Sequence, residues 1–212
     1  MQPYPHVAIL GRSKDTVNYE TALKRLEVSH HTTLDPAQAA LSSHLLLPGG
    51  GDIAPILFGQ TDHGSRQIDT ELDILQLKAL ALFIEQKKPV LGICKGLQII
   101  NVHFGGDIRQ HIDTADRHKW TGRDQTHLVY HSALNHNDFF YELYGNSTLV
   151  NSAHHQAVDR LGDGLVCACR ADDNVIEGLF HAFLPLFAVQ WHPERFWAQG
   201  GESLFRYFIS LS

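Results

Sequence analysis

The segment LGICKGLQIIN, residues 91–101, decides how the rest of the chain is read. The apolar run Val90–Ile93 has the length of a buried strand, a Gly92-x-Cys94-x-Gly96 turn follows, and Leu97, Ile100 and Phe104 then recur at helical spacing. A strand-to-helix turn this tight needs small residues two positions either side of its centre, and it holds the central side chain out above the carboxyl end of a sheet. Cys94 occupies that centre. At a helix N-terminus, free N–H groups and the helix dipole favour thiolate over thiol, so the place supplies activation as well as exposure. A lone cysteine is more often a buried packing residue, but glycines on both sides favour a nucleophile.

Working outward, further apolar runs fit for buried strands stand at His6–Leu10, His44–Leu47, Leu165–Cys169 and Leu186–Val189, with helical patterns between several of them. Thr70-x-x-Asp73 has the form of a capping box, after which Leu72, Leu75, Ala79 and Phe83 fall on one face until Lys87-Lys88-Pro89 stops the helix. Beyond about Gly105 the pattern is less regular, with strands expected at Thr126–His131 and Val175–Leu179 and a closing helix near Glu202–Leu211. Alternation of this kind predicts an α/β fold: a mixed, mainly parallel sheet flanked by helices. A length of 212 residues, with no repeat and no Pro/Gly/Ser linker, predicts one domain over 1–212.

Composition narrows the function classes. At 43% hydrophobic and 19% charged residues, the chain can bury a substantial core, which rules out a disordered or collagen-like protein. A formal charge of -6, with no basic run longer than Lys87-Lys88, gives no electrostatic basis for binding nucleic acid or an anionic membrane. GLFHAFLPLFAVQW (178–191) is interrupted by His181 and Pro185 and is shorter than the roughly 20 residues of a spanning helix. MQPYPHVAILG lacks a basic n-region and a long apolar h-region, and three cysteines are an odd number for a disulfide framework. The expected setting is cytoplasmic, with a small molecule as partner. Nothing in the composition argues against a homo-oligomer.

Two more segments complete a chemistry. In FAVQWHPE (187–194) a strand runs into Gln190-Trp191, and His192 and Glu194 stand two residues apart. If that segment is extended they project to the same side, so the Glu194 carboxylate can accept the imidazole N–H and set the tautomer of His192. In LLLPGGGD (45–52) three glycines follow an apolar strand. Such a loop can turn an N–H toward an oxyanion, with the N–H of Lys95 as natural second donor. It could equally cradle phosphate, but no Gly-Lys-Ser/Thr follows.

These segments, spanning about Leu45 to Glu194, resemble the class I glutamine amidotransferase superfamily, which has a flavodoxin-like sheet and a nucleophile elbow. Within it they are most similar to the γ-glutamyl-γ-aminobutyrate hydrolase family, whose elbow typically reads Gly-Ile-Cys-Arg-Gly-Met-Gln. VNSAHHQAVDRLG (150–162) and GGDIRQHI (105–112) extend the likeness. The resemblance implies Cys94 as nucleophile, His192 as base and Glu194 as its orienter, with oxyanion N–H groups from Gly50 and Lys95. It also implies that Gln98, His155 and Gln156 bind the glutamyl α-amino and α-carboxylate ends. One helical turn after Cys94, Gln98 faces the same way. Lys95 where Arg is usual, Gln76 where Glu is common, and a shorter region before Pro48 are departures that bear on the leaving group.

The expected activity is therefore cleavage of a γ-glutamyl amide through a thioester, with no metal and no organic cofactor. One alternative is a glutaminase subunit delivering ammonia to a synthetase partner. Its elbow usually continues Cys-Leu-Gly-His-Gln, whereas this one reads Cys-Lys-Gly-Leu-Gln. The other is a non-enzymatic γ-glutamyl-binding module, which would have no use for the full set of Cys94, His192 and Glu194. Cys167 and Cys169 alternate in an apolar strand and read as core packing. His30-His31, His63, His111, His118 and His136 lie in polar stretches and read as solvated. His127 and His131 share a strand face and could meet ligand, His103 reads as a core or rim residue, and Trp120 in the Asp116–Asp124 loop as a packing aromatic or part of the site's mouth.

Overall fold

The computed structural model describes residues 5–120, 122, 126–133 and 138–212. The readings at Met1–Tyr4, at His136 and at residues 121, 123 and 124 of the Asp116–Asp124 loop lie outside these residues.

The first half alternates strand and helix: β1 (His6–Leu10), α1 (Val17–Arg25), β2 (Ser29–Thr33), α2 (Pro36–Ala39), β3 (His44–Leu47), α3 (Thr70–Glu85), β4 (Val90–Ile93) and α4 (Lys95–His103). The second half is richer in strands: β5 (Asp107–Arg109), β6 (Thr126–His131), α5 (Phe139–Tyr144), β7 (Ser147–Asn151), β8 (Ala157–Arg160), β9 (Leu165–Ala171), β10 (Ile176–His181), β11 (Leu186–Val189) and α6 (Gly201–Ser210). Among the described residues, nine strands form one sheet in the order β2-β1-β3-β4-β11-β10-β9-β6-β7, while β5 and β8 make a small separate ribbon. From β2 to β11 every neighbour is parallel, and from β11 onward every neighbour is antiparallel. The expected mixed sheet with a parallel centre is what forms.

Strand periodicity of two explains the layering. Val7, Ile9, Leu46, Leu91, Ile93, Phe187 and Val189 face one side, where they pack with Tyr19 and Leu23 of α1, Phe139 and Phe140 of α5, and Leu204, Phe205 and Phe208 of α6. Ala8, Leu10, Leu45, Leu47, Val90 and Ala188 face the other, against Ala79, Leu80 and Phe83 of α3 and Leu97 and Ile100 of α4. Both faces of the central strands are buried, so these strands read as unbroken apolar runs.

One boundary differs from expectation. The cap of α3 is Asp69, whose carboxylate accepts from the Leu72 N–H, and Thr70 is the first helical residue. Asp73 is not a reciprocal capping residue: its Oδ2 accepts from the Ala54 N–H and its other oxygen pairs with Lys95. The buried face of α3 accordingly runs through Asp73, Gln76, Ala79, Leu80 and Phe83.

Candidate active site

The site stands where β4 gives way to α4, at the carboxyl end of the parallel strands. Cys94 has φ of 53°, a left-handed conformation that costs a non-glycine residue of order 1–3 kcal/mol. Its surroundings enforce it: the Cys94 N–H donates to Val189 O at 2.8 Å, and its carbonyl accepts from the N–H groups of Leu97 and Gln98 at 3.1 and 3.4 Å. A Cβ at Gly92 would lie 2.7 Å from the backbone of Gly96, and one at Gly96 would collide with the Leu47 carbonyl, so the spacing that marks the elbow in sequence is a packing requirement. Cys94 is 6% exposed, on the floor of a cleft rather than proud of the surface.

His192 follows β11, the strand beside β4, and its ring meets the Cys94 side chain at Gly49, where an added Cβ would lie 3.0 Å from His192 Cε1 and 3.3 Å from Cys94 Cβ. Its Nδ1 lies 2.8 Å from Glu194 Oε1, which leaves Nε2 for the cysteine. The three-residue line is formed by a 3-10 turn at Pro193–Arg195, not by an extended segment, so the expected pairing of His192 with Glu194 arises by a different geometry. Burial alone would push the imidazole down, but the negative charges of Glu194 and Cys94, and hydrogen bonds to both, more than offset it and raise its pKa to about 10. His192 is therefore set up to hold a proton beside the Cys94 sulfur.

Gly50 and Lys95 border the same cleft as Cys94, and the Lys95 N–H is among the first donors of α4, which no intrahelical carbonyl can satisfy. Gly49 packs beneath, its N–H donating to Tyr19 OH at 2.9 Å. The Lys95 side chain turns away into the protein, where its ammonium pairs with Asp73, both buried. Burial raises the Asp73 carboxyl in spite of that partner.

The cleft has a volume of about 250 Å³ and brings Cys94, Gln98, His155 and Gln156 together, with Arg66 on its rim. Gln98 Nε2 makes long contacts to Gln156 O at 3.5 Å and Gln190 Oε1 at 3.4 Å. His155 is held by Asp52 at 2.8 Å and His111 at 3.1 Å. Gln156 Nε2 donates to Ser65 Oγ at 3.0 Å, while its Oε1 is buried with no hydrogen-bond partner among the described residues. A wider cleft of about 710 Å³ adjoins, sharing Gly50, Gly51, Lys95 and Ala153 and adding Arg12, Lys14, His192 and Arg195. Trp120 lines the outer mouth with His111 and His155.

Other histidine readings are corrected. His127 and His131 do not line the cleft: the first points at Glu177 and the second at Asp138, 2.7 Å away. His118 is buried, not solvated. Burial pushes the Cys167 and Cys169 thiols up, as suits packing residues. Sequence reading missed Asp73, Tyr19, Asp52, Arg66 and Asn151. Of these, Asn151 lay in VNSAHHQ, Asp52 in LLLPGGGD and Asp73 in the capping-box reading, each without a site role, while Tyr19 and Arg66 lay in no motif singled out.

Residues 28–194 match the Peptidase C26 family. The glutamine amidotransferase-like protein YvdE of Lactococcus lactis is 32% identical over 161 residues, covering 74% of this chain and 68% of that protein. The gamma-glutamyl-CDP-amidate hydrolase of Campylobacter jejuni is 28% identical over 151 residues, covering 71% and 62%. A solved GMP synthase protein from Thermoplasma acidophilum superposes with a TM-score of 0.72 over 99% of this chain and 94% of its own, at 21% identity.

Proposed function

This chain belongs to the Peptidase C26 family, and from that premise we propose that it is a cysteine hydrolase cleaving the γ-glutamyl amide bond of a small γ-glutamyl amine to glutamate and the free amine. The observation that carries the reading is Cys94 at the floor of a polar cleft with the His192 ring beside it at Gly49, and His192 Nδ1 held 2.8 Å from Glu194 Oε1. His192 takes the proton of the Cys94 thiol as Sγ attacks the γ-carbonyl carbon, and the N–H groups of Gly50 and Lys95 hold the oxyanion. The His192 imidazolium gives its proton to the departing nitrogen as the C–N bond breaks, leaving a γ-glutamyl thioester. His192, now neutral, takes a proton from water, the hydroxyl adds to the thioester, and the C–S bond breaks to release glutamate. No step uses a metal or an organic cofactor.

The lining supports this substrate class. The smaller cleft suits a glutamyl group: Gln156 Oε1 awaits a donor such as an α-ammonium, and Arg66 on the rim suits an α-carboxylate. The wider cleft beyond His192 receives the amine. The Campylobacter relative, whose name places a γ-glutamyl amidate as substrate, supports the same class. A second reading, a glutaminase serving a synthetase, is favoured by the likeness to a glutamine-hydrolysing GMP synthase chain. A panel of γ-glutamyl amides together with glutamine, followed by glutamate release from the isolated chain, tests the proposal. Turnover of γ-glutamyl amines well above that of glutamine supports it; glutamine turnover alone, or only with a synthetase added, transfers the chain to the second reading.

A further inference from the structure

Behind the cleft wall, three imidazoles from three segments close on one carboxylate. Glu177 of β10 is fully buried. Its Oε1 lies 3.2 Å from His118 Nδ1, 3.3 Å from His127 Nε2 and 3.2 Å from His154 Nε2. Its Oε2 is buried with no hydrogen-bond partner among the described residues, and the same holds for both ring nitrogens of His127.

The outward-facing nitrogens decide what the inward ones can do. His118 Nε2 lies 2.9 Å from Asp173 Oδ2, and His154 Nδ1 lies 3.0 Å from the carbonyl oxygen of Gln156. Both oxygens accept, so those nitrogens carry the ring protons. In the neutral rings, His118 Nδ1, which also lies 3.3 Å from the Ser152 hydroxyl, and His154 Nε2 then aim lone pairs at a Glu177 oxygen that has only lone pairs to offer. An arrangement of this kind needs positive charge between the groups. A carboxylate or backbone carbonyl on the far nitrogen is also what fixes the tautomer of metal-ligating histidines. The spacings of 3.2 and 3.3 Å from Glu177 Oε1 to His118 Nδ1 and His127 Nε2 agree with a tetrahedral site, in which bonds of about 2.0 Å separate neighbouring donors by about 3.3 Å.

We propose that His118 Nδ1, His127 Nε2 and the Glu177 carboxylate, whose ligand atoms all lie within 4.8 Å of one another, bind a divalent transition-metal ion of the zinc class. Imidazole and carboxylate donors suit that class, and the set contains no thiolate. His154 packs on the same carboxylate oxygen and also lines the cleft, so the ion would brace the wall Ala153–Gln156 without entering the reaction. This departs from the expectation of a metal-free protein. It is independent of the proposed function, because nothing in the catalytic line touches the site.

The test uses the full-length Cys94→Ser protein, which removes the thiolate that could bind metal with His192. Zn²⁺ is stripped with a chelator, returned in competition with a chromophoric chelator, and replaced in parallel by Co²⁺. The expected result is one ion per chain, visible Co²⁺ bands without thiolate charge transfer, and a higher Tm on Zn²⁺ addition. Asp173→Asn should weaken binding about 10–100-fold. His127→Ala should abolish it with the fold intact, since that ring makes no other hydrogen bond among the described residues. Failure to take up one equivalent, or uptake unchanged in His127→Ala, would overturn the proposal and leave a cage of imidazolium ions balanced by Glu177 and Asp173.

Discussion

Asn151 grips the main chain of His192 from both directions: its Nδ2 donates to His192 O at 3.0 Å, and its Oδ1 accepts the His192 N–H at 3.0 Å. The two residues are 41 apart in sequence, and this pair of buried bonds ties the end of β7 to the loop leaving β11. Asn151 touches no reacting atom, so it acts as a positioning residue. Asn151→Ala should destabilise the fold by about 1–3 kcal/mol, the cost of leaving a buried amide and carbonyl unpaired. It should also lower kcat while leaving KM nearly unchanged, because the base is displaced and the glutamyl cleft is not. Urea unfolding and steady-state kinetics on one preparation check both parts.

The buried pair Lys95–Asp73 predicts a stability effect of another kind. Removing one partner leaves an uncompensated buried charge, so Asp73→Ala should cost about 3–5 kcal/mol, and it also orphans the Ala54 N–H. Lys95→Arg keeps a cation beside Asp73 and should retain most activity, because the backbone N–H proposed to serve the oxyanion is unchanged. Equal stability of Asp73→Ala and the wild type in denaturant titrations would contradict this role.

His192 sets the pH dependence. Its pKa rises from the ordinary 6.5 to about 10 in the folded protein, so the stability it contributes is complete below about 6.5 and is lost as pH rises toward 10. Leaving-group protonation needs the imidazolium, so kcat/KM should hold to about pH 9 and fall above about 10. Glu194→Gln removes the anion that holds the proton and should move that alkaline limb to lower pH. Its rate loss should be smaller than that of His192→Ala, since an amide oxygen still accepts the Nδ1 proton. A limb unmoved in Glu194→Gln would mean the carboxylate does not tune the base.

Recognition of the glutamyl end is open to test with truncated substrates. Glutaryl and γ-aminobutyryl analogues of a γ-glutamyl anilide lack the α-amino and α-carboxylate groups respectively. A site built to pair those groups is left with unpaired polar atoms when they are missing, at about 1–3 kcal/mol each and more where charge is involved. Each analogue should therefore be cleaved at least tenfold more slowly, while changes in the amine should matter less. Equal cleavage of all three would replace the γ-glutamyl assignment with a general amidase.

How legible the molecule was depended on where its information lies along the chain. The central strands and the elbow were readable because both faces of β4 and β11 are buried and because Gly92 and Gly96 answer a local steric demand. By contrast β2, with the sequence SHHTT, is a polar strand at the sheet's edge, and its pairing with β1 comes from tertiary context. Cys94, His192 and Glu194 stand in local motifs, yet the 3-10 turn that joins the last two is not legible there, since the pattern His-Pro-Glu serves both extended and turn geometries. The carboxylate–imidazole cluster was not legible at all. Its members come from the Ala115–His118 turn, β6, the loop before β8 and β10, and only folding brings them together.

The most direct test of the central claim is to trap the acyl-enzyme. The wild-type chain is mixed with a γ-glutamyl anilide, quenched in acid within the first turnovers, digested and mapped by mass spectrometry. One γ-glutamyl group on the peptide carrying Cys94, released by hydroxylamine, is the expected result, with no adduct and almost no turnover in Cys94→Ser. Turnover within about tenfold of wild type in Cys94→Ser, or a γ-glutamyl label on any other residue, would contradict a thioester mechanism at this cysteine.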